Sequence, residues 1–199
     1  MGVKAVIAIQ ADVASADFGT KIVRVTLEAF GATTPIGIVI NNAGISRTHA
    51  AIADVPLGAW DSIFHTNNVR APFPLIQAAL PHMSQPGGRI VNIGSVAAKI
   101  GRRMFTVYGA LTSMSVSMAE ELGGRSGSRS GWWRPGPIDT ETGTRGSVVM
   151  EKLYRNMHIK REGMPLEVAG AGAWLVGEEA GFVTGQLISV DGGWGTGWP

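Results

Sequence analysis

Short apolar runs that close on glycine, asparagine or aspartate, each followed by helical periodicity, constrain this chain more than any other feature. Residues 36–40 form such a run and end at Asn41-Asn42-Ala43-Gly44, residues 89–93 end at Gly94-Ser95, and residues 187–190 end at Asp191-Gly192-Gly193. Residues 3–11 read the same way up to Asp12. Runs this short and apolar suit strands buried on both faces, and the glycines and asparagines mark where each strand gives way to a loop. Between them, Phe18, Ile22, Val23, Leu27 and Phe30 recur at helical spacing over residues 17–30, before Gly31. Residues 59–83 are long enough for one helix with an irregularity near Asn67-Asn68 and Pro72, and residues 108–122 form another that stops at Gly123-Gly124. A further helix opens at Pro165 with Glu167 in its first turn. Strands alternating with helices predict an α/β fold, a parallel sheet covered on both faces, in a single domain over residues 1–199.

Composition narrows the function classes. A net charge of +2, with no basic stripe interleaved with aromatics, argues against nucleic acid as a partner. The chain has no cysteine, which excludes disulfides, thiol catalysis and cysteine metal sites, and no metal centre is expected. Its first residues lack a secretory pattern and no run reaches the length of a membrane span, so the expectation is a cytoplasmic protein without membrane contact. Glycine, at 28 of 199 residues, is spread without a period, which fits backbone lying close to a ligand.

In an open parallel sheet, ligands bind beyond the carboxyl ends of the strands, where loops diverge and helix N-termini present free N–H groups. Asp12, residues 41–44, Ser95, Pro135-Gly136 and residues 191–193 all fall at that edge. Their order, with Tyr108 thirteen residues after Ser95 and then Pro135-Gly136-Pro137-Ile138-Asp139-Thr140, resembles the short-chain dehydrogenase/reductase family over nearly the whole chain. The resemblance implies a Rossmann-type doubly wound sheet, an NAD(P)(H) cofactor, NADP somewhat preferred, and a small carbonyl or alcohol substrate. It implies that Tyr108 is the general acid/base, that Ser95 bonds the same substrate oxygen, and that Asn68 completes the group through a water. Trp60-Asp61 favours Asn67 by spacing, while Val69-Arg70-Ala71 and the distance to Ser95 favour Asn68. Asp12 and Val13 would lie at the adenine, Asn41, Ala43 and Gly44 would shape the cleft, and Pro135, Gly136, Ile138 and Thr140 would flank the nicotinamide. A homo-oligomer, dimer or tetramer, would form through residues 59–83 and 108–122.

Three departures qualify this picture. The family's lysine four residues after the tyrosine is Thr112 here. A cation ~4 Å from the phenol at an effective dielectric of ~20 is worth roughly 4 kcal/mol, about three pKa units. The family's first strand, glycine-rich turn, helix and second strand are also expected to be missing, and with them the pyrophosphate cradle and the residue that separates NAD from NADP. Without those strands, residues 3–11 are expected to pair in parallel with residues 36–40 or to be covered by another chain. Finally, residues 123–134, rich in glycine, serine and arginine, argue against the strand the family places there. A reading frame shifted by two bases from Gly127 would instead give Ile-Thr-Val-Arg-Val-Val-Ala, an ordinary strand.

Two functions compete. One is an NAD(P)H-dependent oxidoreductase acting on ketones or secondary alcohols, similar to 3-oxoacyl or polyketide-type ketoreductases. The other is an inactive remnant or pseudo-enzyme that keeps only ligand binding or oligomer contacts. Trp132, Trp133, Met150 and Met157 are apolar enough to line a pocket, but core or surface packing is the expected role.

Overall fold

A computed structural model describes residues 5–45, 50–67, 72–100, 114–126, 128–140 and 154–194. Among the described residues four strands form one sheet, β1 (Ile38–Asn41), β2 (Arg89–Ile93), β3 (Arg129–Pro135) and β4 (Leu187–Val190), all parallel and ordered β1-β2-β3-β4. The described helices are α1 (Phe18–Phe30), α2 (Leu57–Asn67), α3 (Pro72–Ala79), α4 (Ala97–Ile100), α5 (Met114–Ser126) and α6 (Pro165–Val176).

Side-chain alternation along the strands divides the core in two. Val39 and Ile90 point to one face, where they pack with Val23 of α1, Ile76 and Ala79 of α3, and Met118 and Leu122 of α5. Val91, Trp133, Ile188 and Val190 point to the other, against Leu175 of α6 and Ala180. Helices thus lie on both faces of a parallel sheet. The approach of α1 to α3 depends on Gly19, where a Cβ would stand 2.4 Å from the Pro74 carbonyl oxygen. Gly31, at φ 105°, ends α1 with its N–H on the Leu27 carbonyl.

Several sequence expectations need correction. Residues 5–11 form no strand and pair neither with β1 nor with any other described strand; Val6 and Ile7 are exposed, and the chain is tied locally by the bond that Lys21 Nζ donates to the Gln10 carbonyl. Their β-branched composition does not suffice, because a strand exists only with a neighbour to bond. Residues 129–135, judged unfit for a strand, form β3 at the sheet's centre. The reason lies in Trp132 and Trp133, 1% and 0% exposed, which fill opposite faces and outweigh the small polar residues around them. Gly131 fits because Leu175 already occupies the space beside it, 3.4 Å from where a Cβ would be. Helix α5 also runs through Gly123-Gly124 to Ser126 rather than stopping there.

Within the stretch 59–83 the described residues form α2, α3 and a 3-10 turn at Leu80–His82, and residues 68–71, where the irregularity is expected, lie outside the described set. Trp132, Trp133 and Met157 are core residues, as expected; Met150 lies outside the described residues. No helix among the described residues is long and apolar enough to cross a membrane.

Candidate functional site

The carboxyl ends of β1, β2, β3 and β4 bring the sequence motifs to one edge. Asn41, the last residue of β1, stands in register with Asn92, and its Nδ2 donates to Asn92 Oδ1 at 2.7 Å, a side-chain bond joining the two strand ends. Beyond β2 the pairing with β3 continues for three residues, because Gly94 N donates to the Trp133 carbonyl at 2.7 Å and Val96 N to the Pro135 carbonyl at 3.0 Å. Ser95 sits between those two bonds, half-buried, directly beside the Pro135-Gly136 turn. Its Oγ accepts the Ala97 N–H at 3.2 Å and so caps the short helix α4. The oxygen keeps its own proton to donate elsewhere.

Gly136 continues to β4 through its N–H on the Val190 carbonyl, and a Cβ there would meet Asp191 Cα at 2.8 Å. Only glycine allows β3 and β4 to stay this close as they leave the sheet. Ile138 bridges to Gly163, Asp139 N donates to the Gly163 carbonyl, and Thr140 Oγ1 donates to the Ile138 carbonyl at 3.5 Å. Next to this ladder opens a cavity of about 400 Å³ lined by Pro137, Ile138, Met157, His158, Ile159 and Arg161 among others, a volume within the range of small-molecule sites.

Gly44 and Ala43 follow β1, and α2 locks onto them from its last residue. Asn67 Oδ1 accepts the Ile45 N–H at 2.6 Å while its Nδ2 donates to the Ile45 carbonyl at 2.7 Å, and a Cβ on Gly44 would stand 3.5 Å from Asn67 Oδ1. This two-way clasp fixes the turn after β1. The spacing from Trp60-Asp61 was the signal that could have singled out Asn67. Asn68 lies outside the described residues, as do Tyr108 and Thr112.

Asp12 and Val13 follow the segment 5–11, which pairs with no described strand. Asp12 is exposed and its Oδ1 accepts the Ala14 N–H at 2.9 Å, so it forms a local turn and does not cap α1, whose N-cap is Asp17.

The chain contains two tyrosines. Burial, and then the carboxylates of Glu162 and Asp139, push the Tyr154 phenol above its usual range.

A family model described as Enoyl-(Acyl carrier protein) reductase matches residues 1–195. The chain belongs to the short-chain dehydrogenase/reductase family. Glucose 1-dehydrogenase 2 of Bacillus subtilis is 33% identical to this short-chain dehydrogenase/reductase over 195 residues, covering 94% of the chain and 74% of that protein. The 3-oxoacyl-[acyl-carrier-protein] reductase FabG of Staphylococcus aureus is 31% identical over 192 residues, covering 94% of the chain and 76% of that protein. Among solved structures, a short chain dehydrogenase from Burkholderia cenocepacia in complex with NADP matches with a TM-score of 0.83 at 31% identity, over 92% of this chain and 74% of that one. By family, then, the protein is an oxidoreductase.

Proposed function

We propose that this chain reduces a ketone, or oxidises the matching secondary alcohol, with NAD(P)(H), and that Ser95 and Tyr108 hold the reacting oxygen. The observation that supports it most directly is the lodging of Ser95 against Pro135-Gly136 by the Val96 to Pro135 bond, at the edge where four strand ends converge.

The residues at this edge suit the nicotinamide half of the cofactor. Pro135 and Gly136, then Ile138 and Thr140, lead away from β3 at this edge, and Asn41, Ala43 and Gly44 lead away from β1. Among the described residues no glycine-rich turn leads from a strand into a helix, so the diphosphate half has no such cradle there. When bound, the nicotinamide supplies or accepts the hydride at carbon. Ser95 donates a hydrogen bond to the carbonyl oxygen, and Tyr108 gives that oxygen its proton, or takes it back in the oxidative direction. For the asparagine of the group, the clasp on Ile45 favours Asn67 over Asn68.

The FabG relative and the neighbour bound to NADP support 3-oxoacyl or similar ketones as substrates and NADP as cofactor. Asp12 and Val13 remain the proposed adenine contacts, a second copy of the chain the proposed partner, and the cytoplasm the proposed location.

Titration with NADPH, followed by tryptophan fluorescence, tests the reading. Saturable quenching that Tyr108→Phe leaves intact is the expected result. A fluorescence signal that does not saturate would place the chain among inactive remnants.

A further inference from the structure

Two elements of this chain lack the neighbour that a strand requires, and ketone reduction uses neither. The first is the outer edge of β1. Arg89 N donates to the Gly37 carbonyl, and β1 runs parallel to β2 with Ile38 opposite Arg89. In a parallel ladder every second residue turns its backbone toward the neighbouring strand, so residues 37, 39 and 41 face β2 while the N–H and carbonyl groups of Ile38 and Ile40 face outward. No described residue bonds those groups, and both isoleucine side chains are exposed.

The second element is the segment 5–11, Ala-Val-Ile-Ala-Ile-Gln-Ala. It has the β-branched composition of a strand, yet Val6 and Ile7 are exposed and the segment pairs with no described strand. Its position beside α1 keeps it from its own β1. Lys21 Nζ donates to the Gln10 carbonyl at 3.0 Å, and the close approach at Gly19 fixes α1 on α3, so the end of the segment is tied to a docked helix.

The edge and the segment are electrostatically matched. Residues 5–11 contain no charged side chain and neither does β1, so both lack the lysine or glutamate that commonly guards an unpaired strand.

We infer that residues 5–11 of a second copy of this chain add as a strand to the outer edge of β1, bonding the outward backbone groups of Ile38 and Ile40, and that the exchange is reciprocal. Each copy offers one edge and one segment, so two copies close with two-fold symmetry and neither element stays bare. The inference rests on the proposed partnership with a second copy and is independent of the proposed reduction.

Because the chain has no cysteine, introduced cysteines report this contact without background. Chain carrying Ile7→Cys and one affinity tag is mixed at micromolar concentration with chain carrying Ile38→Cys or Ile40→Cys and a second tag, and a short bismaleimide is added. The expected product is a cross-linked pair that carries both tags. Adding Ile40→Pro to the Ile38→Cys chain removes an outward N–H but no bond to β2, and should lower the yield about tenfold. Glu28→Cys, on the exposed face of α1, should give no such pair with Ile38→Cys. If the proline variant fails to fold, an excess of the native chain takes its place as competitor and should lower the yield in the same way. A cross-link formed inside single chains carrying both Ile7→Cys and Ile38→Cys at high dilution would overturn the inference, because the segment then reaches its own edge. So would a dimer in light scattering that gives no two-tag product, which leaves the second copy in place but joined through the helices, or a monomer throughout, which removes both.

Discussion

Asn67 carries more of the site's geometry than any residue singled out by motif alone. One amide side chain satisfies both the N–H and the carbonyl of Ile45, which pins the helix α2 to the turn after β1. A comparable clasp holds the start of α6, where Glu167 accepts from both ends of the Arg161 guanidinium at 2.7 and 2.8 Å and from Met164 N at 2.7 Å. Those contacts, the Arg161 bonds first, lower the Glu167 carboxyl from its usual 4.5 to about 2. A carboxyl depressed in the folded state contributes stability that is whole above its unfolded value and is lost as pH falls toward the folded one. Denaturant unfolding of the native chain should therefore lose stability between pH 4.5 and about 2, and Glu167→Gln should flatten that part of the profile. Exposure of the pair keeps the effect small. Identical profiles for the two proteins would show that Arg161 and Glu167 do not pair in solution. At this scale the strand-end residues Asn41, Ser95, Pro135 and Gly136 were legible from sequence because glycine and asparagine punctuate strand ends for steric reasons. Asn67 was legible only in part, since the spacing from Trp60-Asp61 favoured it while Val69-Arg70-Ala71 and the distance to Ser95 favoured Asn68.

β3 is the element in which composition misled. Glycine, serine and arginine are poor strand formers, yet a central position offers two buried faces, and two tryptophans fill them. The fit is imperfect, because the indole N–H groups of Trp132 and Trp133 are buried without partners, and so is Arg134 Nε. Arg134 is 9% exposed, donates from Nη2 to the Leu187 carbonyl, and is held below its usual range by burial against the opposing pull of Asp191. A buried guanidinium with an unsatisfied N–H costs more than an apolar chain of similar reach. Arg134→Met should raise stability by about 1–3 kcal/mol, a melting-temperature gain of about 2–6 °C. A fall in melting temperature would mean that the field between Arg134 and Asp191 outweighs the cost of burial. Residues 5–11 show the reverse case. Their apolar, β-branched sequence reads as a strand, but strand character is a property of a pair, and no described neighbour lies beside them.

Among the described residues the sheet ends at β1, where Ile38 and Ile40 are 43% and 52% exposed on the face opposite Val39. An apolar edge of this kind invites association. If α2, α3 and α5 also pair with a second copy, light scattering at micromolar concentration should find a dimer or tetramer; a monomer alone would count against that interface. The α/β class and parallel order were legible because alternating strand and helix patterns leave few other topologies. We propose that Thr112 takes the place of the family's lysine, in which case the phenol lacks a cation worth roughly 4 kcal/mol, up to about three decades of rate. The most direct measurement is NADPH consumption with a panel of 3-oxoacyl and simple ketones, for the chain as it stands and for Ser95→Ala, Tyr108→Phe and Thr112→Lys. The native chain should turn over slowly, Tyr108→Phe should abolish that turnover, Ser95→Ala should weaken it, and Thr112→Lys alone should not bring it to the level of the FabG relative. Turnover indifferent to Tyr108→Phe, or none in the native chain at saturating cofactor, would contradict it.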